Sequence, residues 1–267
     1  MGARIFCESG GFSHGCILYF LCIYVSQTMA SVSTQRKRSL PRNQLLAAMS
    51  ASDFALLRPN LKPTAMPVFK DMEQPNRPID SVYFMEAGIA SVVAIQPDDT
   101  KAEVGLIGRE GMSGIAVVLG GEQSPNSTYM QVAGEGQRIP AKELCKAMRA
   151  SESLRGLLLK FVQAFMVQTA QTAIANARAP IDQRLARWIL MAHDRIGNET
   201  IPLTHEFLAL MLGVRRPGVT EALQGLKRRK LIDTGRNRIL VRNRKGIERT
   251  ARGSYGVPEK EYRRLIG

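Results

Sequence analysis

The sequence predicts an α+β chain in three successive parts: an N-terminal antiparallel β-roll, one long dimerisation helix and a C-terminal winged helix-turn-helix. Three observations lead there. Short strand-like runs alternate with glycine turns between residues 66 and 140, an unbroken helical pattern runs from Ser151 to Ala177, and the positive charge gathers in the last quarter of the chain.

The charge sets the functional class. Of 267 residues, 37 are Lys or Arg against 23 Asp or Glu, a net +14. From Thr204 onward the balance is 16 against 6, so most of the surplus lies there. Such an excess points to a polyanionic partner, nucleic acid or an anionic surface. With 45% hydrophobic residues the chain fills a core and is not wholly disordered, and four cysteines are too few for a disulfide-framed secreted scaffold. A solvated basic tail would lack periodic apolar residues. Here Leu208, Met211, Leu212, Val219, Leu223 and Leu226 recur at helical spacing, so the basic region is a folded module.

Residues 1–42 read as a leader. Cys16 to Val25 is an apolar run shorter than the roughly 20 residues a membrane helix needs. A secretory signal, a genuine N-terminal extension and a wrongly chosen start followed by the true one at Met29 all fit. The Met29 start is preferred, because a basic cytosolic-type module has no use for export. Ser31 to Arg42 reads as mobile.

Residues 43–150 read as the roll. Leu45, Leu46, Met49, Phe54 and Leu57 form a short helical lead broken around Ser50–Ser52. Strands are expected at Val82–Phe84, Ile89–Ile95, Glu103–Ile107, Ile115–Leu119 and Tyr129–Val132, with Gly134–Gly136 among the turns and a helix at Ala141–Ala150.

Residues 151–179 form the long helix. Its apolar residues exceed one face, so one stripe packs on the roll and the other needs a partner. A second copy is the cheapest supply, predicting a parallel pair through Leu154, Leu158, Phe161 and Phe165, with Ala170, Ala173, Ala175 and Ala177 allowing close approach. The alternative is a helix buried within one subunit.

Residues 180–250 form the winged module, opened by Pro180 as a first-turn residue, and 251–267 read as a C-terminal tail. Thr204 caps a helix that stops at Gly213, with Leu203 and Leu208 as a hydrophobic staple. Arg216 is the expected cap of a second helix, Pro217 to Lys230. Two helices joined by a glycine-containing turn place the second in the DNA major groove, N-terminus first. Arg215, Arg216, Thr220, Glu221 and Gln224 lie opposite its apolar side. Arg grips guanine bidentately, Gln suits adenine, and Thr220 or the helix amides hold phosphate. The turn Gly235-Arg236-Asn237-Arg238 before Ile239–Val241 is a basic hairpin tip suited to the phosphate backbone.

These residues, and the order of roll, long helix and winged module from about Asn43 to Arg249, resemble the cyclic-AMP receptor protein and fumarate-nitrate regulator (Crp/Fnr) family. The run Glu206-x-x-Ala209-x-x-Leu212-Gly213-Val214-Arg215-Arg216-x-x-Val219-Thr220-x-x-Leu223 carries the likeness. The resemblance implies a cytoplasmic, homodimeric regulator of transcription. It binds double-stranded DNA and contacts RNA polymerase, has no membrane role, and has a roll of the cyclic-nucleotide-binding type. Arg216 falls on the family's base-reading Arg. Pro217 falls where many members carry a Glu, so the family's half-site is not carried over. In the ligand pocket, Gly111 and Ser113 belong to a turn without the family's carboxylate, and Asn126, Ser127 and Thr128 stand where an Arg-Ser or Arg-Thr pair holds phosphate. A buried phosphate without its cation is costly, so cyclic-nucleotide binding in the usual mode is not expected. An iron–sulfur cluster is not expected either, since Cys7, Cys16, Cys22 and Cys145 lack cage spacing.

No enzyme is expected. His205-Glu206 begins like a zincin helix, but Ala209 stands at the second His position, so no metal site is expected. Glycines 105, 108, 111 and 114 match neither a P-loop nor a dinucleotide fingerprint, and Trp188 reads as core.

Overall fold

The computed structural model describes residues 41–198 and 200–267. The apolar run at 16–25, the Met29 start, the segment 31–40 and Cys7, Cys16 and Cys22 lie outside the described residues. Two short helices lead in, α1 (Gln44–Ala47) and α2 (Ala51–Leu57). Asn43 and Ser50 start them by accepting from the amides of Leu46 and Asp53, so the break around Ser50 is a fresh N-cap. Buried Asn43 also donates to the carbonyls of Met85 and Gly111, at 2.7 and 2.8 Å, pinning the lead to the roll.

The roll contains β1 (Lys62–Met66), β2 (Asp71–Glu73), β3 (Ser81–Met85), β4 (Ile89–Ile95), β5 (Lys101–Ile107), the short helix α3 (Ile115–Val118), β6 (Ser127–Val132) and β7 (Gly134–Pro140). They form two antiparallel sheets, ordered β1-β7-β3 and β2-β6-β4-β5. Pairings such as Val82 with Ile139 and Ala90 with Met130 set the register. Phe84, Met112 and Ile139 fill one interior cluster and Met66, Met85 and Met130 another.

Two expectations in the roll fail for local reasons. Ile115–Leu119 is not a strand: Gly114, left-handed at φ 77°, starts a helical turn closed by Val117 N–H to Gly114 C=O at 3.0 Å. Gly134–Gly136 is not a turn but the start of β7. A Cβ on Gly134 would lie 2.1 Å from the Ala87 carbonyl oxygen, so glycine is there to let backbones meet.

Helix α4 (Ala141–Ala150) leads to α5 (Glu152–Arg178), 27 residues capped by Ser151. Leu154 and Leu158 are fully buried, Phe161 is 3% and Phe165 9% exposed, all within the chain's own core. These four therefore do not face a partner, and the expected interface through them is corrected. The roll uses that stripe because its glycines leave room for the rings. Among the residues that stay exposed on α5, Leu159, Gln163, Met166, Ala170, Ala173 and Ala177 form one stripe spaced four and three residues alternately, with exposed Ile174 beside it.

Ala179 and Pro180 separate α5 from α6 (Ile181–Ile196), with Pro180 at the cap and not inside the helix. Then come β8 (Thr200–Ile201), α7 (His205–Leu212), α8 (Arg216–Arg228), β9 (Ile232–Gly235), β10 (Arg238–Val241) and α9 (Arg244–Ala251). The expected tail is instead a helix, α10 (Val257–Leu265), which packs back on α5. Its Tyr262 hydroxyl donates to the Glu110 carbonyl at 2.8 Å. One core cluster runs from the roll's Ile89, Leu106 and Val132 into α6, α7 and α8. Among the described residues no helix is long and apolar enough to cross a membrane.

Candidate nucleic-acid interface

Helix α7 starts at Thr204, whose hydroxyl oxygen accepts from Phe207 N at 3.2 Å, and stops at Gly213, left-handed at φ 58°. Arg184 of α6 donates to the Leu212 carbonyl and closes that end. Helix α8 is capped by Arg215, one residue earlier than expected, with Arg216 as its first residue and Pro217 as its second. Pro there loses no helical hydrogen bond. Val219, Ala222, Leu223 and Leu226 bury one face of α8 in the cluster that holds Leu208, Met211 and Leu212.

The opposite face carries Arg215, Arg216, Pro217, Glu221 and Gln224, all exposed, with Thr220 half-buried. Arg216, Pro217, Thr220, Glu221 and Gln224 line one shallow depression of about 400 Å³, with Arg215 beyond it. Arg216 lies 3.2 Å from Glu206, an exposed pair that is weak in water. The Thr220 hydroxyl donates to the Arg216 carbonyl at 3.1 Å and lies 3.2 Å from His205 Nδ1. Its one proton is therefore engaged inside the helix pair and meets a phosphate only by leaving that bond.

Strands β9 and β10 pair from Arg238–Gly235 to Val241–Ile232, and Asn237 at φ 55° closes a two-residue turn. Arg236, Asn237 and Arg238 at the tip are exposed, and neither arginine forms an ion pair among the described residues. Strand β8 adds a third strand through Ile201–Ile239, bracing the hairpin from a position too short to be legible in sequence. Lys227, Arg228, Arg229 and Lys230 extend the exposed basic surface beyond the residues singled out by sequence.

The expected pocket residues are engaged within the roll. Gly111 packs against the Phe161 ring, and the buried Ser113 hydroxyl oxygen accepts from Tyr83 N at 3.1 Å. Asn126 and Ser127 are half-buried, with Asn126 N donating to Ser124 Oγ. Buried Thr128 instead meets a residue that sequence reasoning missed, Glu73. The Glu73 carboxylate accepts from Gly114 N at 2.8 Å and from Thr128, and burial pushes its pKa up. The Gly114 amide is thus occupied by a carboxylate of the chain itself.

The junction with the roll contains a second buried acid. Glu103 of β5 accepts from Ser91 Oγ at 2.7 Å and from Trp188 Nε1 at 2.8 Å. Burial raises its pKa to about 7, opposed by these bonds and by Arg187 and Arg195. Among the described residues, no group of three or more His, Cys, Asp or Glu is placed to hold a metal.

Residues 183–250 match the family of Crp-like helix-turn-helix domains. The chain is 24% identical to the global nitrogen regulator of Synechocystis sp. over 220 residues, 77% of this chain and 95% of that protein. Its fold is similar to that of a Crp/Fnr-family transcriptional regulator from Eubacterium rectale, with a TM-score of 0.62 at 16% identity over 78% of this chain and 98% of that one. It is also similar to FixK2 from Bradyrhizobium japonicum, with a TM-score of 0.61 at 14% identity over 71% and 96%. The matched domain coincides with the basic two-helix unit and its hairpin. Residues 183–250 are thus a Crp-like helix-turn-helix, a DNA-binding domain, in a chain that is similar to Crp/Fnr-type transcription regulators over most of its length.

Proposed function

We propose that the protein acts in the cytoplasm as a homodimer that reads a pseudo-palindromic DNA site. The N-terminal half of α8 enters the major groove and the β9–β10 tip grips the backbone. The observation that carries this reading is the exposed cationic rim made by Arg215 and Arg216 at the start of α8 and by Arg236 and Arg238 at the hairpin tip. Arg216, Glu221 and Gln224 supply base contacts, while Arg215, Arg236, Arg238 and, after release of its internal bond, Thr220 meet phosphate. Contact with RNA polymerase follows the family resemblance.

Dimerisation runs through the exposed stripe of α5. Leu159 at 40% and Met166 at 60% exposure are large apolar side chains in water, and a four-three repeat is the spacing of a two-helix seam. Control by cyclic AMP in the usual mode is disfavoured by Asn126 at the place of a cation and by Glu73 on the Gly114 amide.

Selection of binding sites from random DNA tests the reading. The expected product is an inverted repeat with half-sites about one helical turn, roughly 34 Å, apart. Equal affinity for random and selected duplexes would overturn it in favour of a basic module that docks on acidic surfaces.

A further inference from the structure

Gly105, Gly108 and Gly111 lie against three residues that line a cavity, Phe165, Arg195 and Phe161. A Cβ on Gly105 would lie 2.6 Å from the Phe165 ring, one on Gly108 2.6 Å from the Arg195 stem, and one on Gly111 2.5 Å from the Phe161 ring. Without side chains at these positions, two rings of α5 and the aliphatic stem of Arg195 on α6 lie directly on the roll. Beside them is a cavity of about 710 Å³, lined also by the ends of α6 and α9 and by α10. That volume is typical of small-molecule sites.

Most of the charge in the lining is already paired. Arg195, 8% exposed, pairs with Glu110 at 2.8 Å, and Arg244 pairs with Asp194 at 2.7 Å. The Tyr255 hydroxyl donates to the Asp194 carboxylate, and Glu259 accepts from Gly256 N at 3.0 Å. Arg109 differs from Arg195 and Arg244 in having no carboxylate partner among the described residues. Its guanidinium makes one long bond, 3.4 Å to the Asp194 carbonyl, and its buried Nε–H has no acceptor. Arg263, exposed on α10, also lines the cavity and has no ion pair among the described residues. An under-satisfied guanidinium in a cavity that two aromatic rings also line is a donor set suited to an oxyanion that carries an apolar body.

We propose that this cavity binds a small organic anion. Arg109 takes its carboxylate or phosphate group, and its apolar or aromatic body lies against Phe161 and Phe165. The site is separate from the roll interior, where Glu73 holds the Gly114 amide. Its lining comes from the roll, α5, the DNA-binding domain and α10, so occupancy tunes how that domain sits for DNA. This last consequence rests on the DNA reading proposed above, whereas binding itself does not.

The test is a fluorescence titration of the full chain, without DNA, with 1-anilinonaphthalene-8-sulfonate, an aromatic oxyanion. Arg109→Gln, and Ala164→Met at a buried residue lining the cavity, should each weaken binding tenfold or more. Benzoate and phenyl phosphate should displace the dye, the stronger competitor identifying the head group, while inorganic phosphate alone displaces it poorly. Dye affinity within twofold of wild type in both variants, with folding verified by circular dichroism, overturns the site and puts the dye on the α5 stripe. Displacement by inorganic phosphate as effective as by phenyl phosphate overturns the aromatic subsite. Should either variant fail to fold, exposed Arg263→Gln replaces it, with a threefold or greater loss expected and no change overturning the proposal. Because no DNA is present, failure here is distinguishable from failure of the palindromic site.

Discussion

Trp188 of α6 reaches the roll and donates its indole N–H to Glu103 Oε1 at 2.8 Å, while Ser91 donates to the other oxygen of the same carboxyl. The folded carboxyl keeps its proton up to about pH 7, whereas an unperturbed one releases it near 4.5. Between those values the folded state binds more protons than the unfolded state. Stability from this group is therefore full below pH 4.5 and is lost as pH rises through 7. Denaturant midpoints from pH 4.5 to 7.5 should fall in wild type and flatten in Glu103→Gln. Identical slopes in the two proteins would refute the assignment.

Removing the other end of that bond has a different cost. Trp188→Phe keeps much of the apolar volume but leaves Glu103 Oε1 buried without a donor. The expected loss is about 1–3 kcal/mol by urea unfolding, and it should shrink in a Glu103→Leu background, where no polar group is stranded.

On DNA, Arg216 and the hairpin arginines should separate by type of effect. Arg216→Ala should cost about 1–3 kcal/mol on the selected site and relax preference at one base position. Arg236→Ala or Arg238→Ala should weaken all sequences alike and reduce the slope of log affinity against log salt by about 1. A uniform, sequence-blind loss for Arg216→Ala would remove it from base reading.

The two stripes of α5 predict opposite phenotypes. Met166→Glu, on the exposed stripe, should leave the fold intact and weaken self-association by about 2–3 kcal/mol, seen as monomers in sedimentation. Leu158→Ala, in the core, should instead cost about 2–5 kcal/mol of stability with association affected only through unfolding.

Gly111→Ala places a methyl group against the Phe161 ring. Overpacking of this kind typically costs about 1–3 kcal/mol, measurable as a lowered unfolding midpoint, and the companion change Phe161→Leu should recover part of it.

The order of roll, long helix and winged module was legible because each part has its own period and punctuation. The side of α5 that meets the roll was not. A helix apolar on more than one face looks alike from either side, and period alone cannot say which stripe is covered. The glycines opposite Phe161 and Phe165 were the available clue, since residues without side chains mark where rings land. Strand β1, with Pro63 and mostly exposed residues, has no alternation to detect, and β7 hid behind glycines that resemble a turn. Of the residues proposed to face DNA, those at the start of α8 followed from the caps around Gly213 and Pro217. The demand on the Thr220 proton depends on His205, fifteen positions away and across the helix turn, which no local pattern encodes.

The DNA-binding domain enters through Ala179 and Pro180, between α5 and α6, and leaves through residues 252–256, between α9 and α10. Two residues span at most about 7 Å and five about 18 Å, and both links end on the same long helix, since α10 folds back onto α5. The domain is therefore hung at two points, like a gate on two hinges. The core shared with Ile89, Leu106 and Val132 holds it against the roll as well, so the two short links and that core together limit how far the domain can move from the helix that carries it.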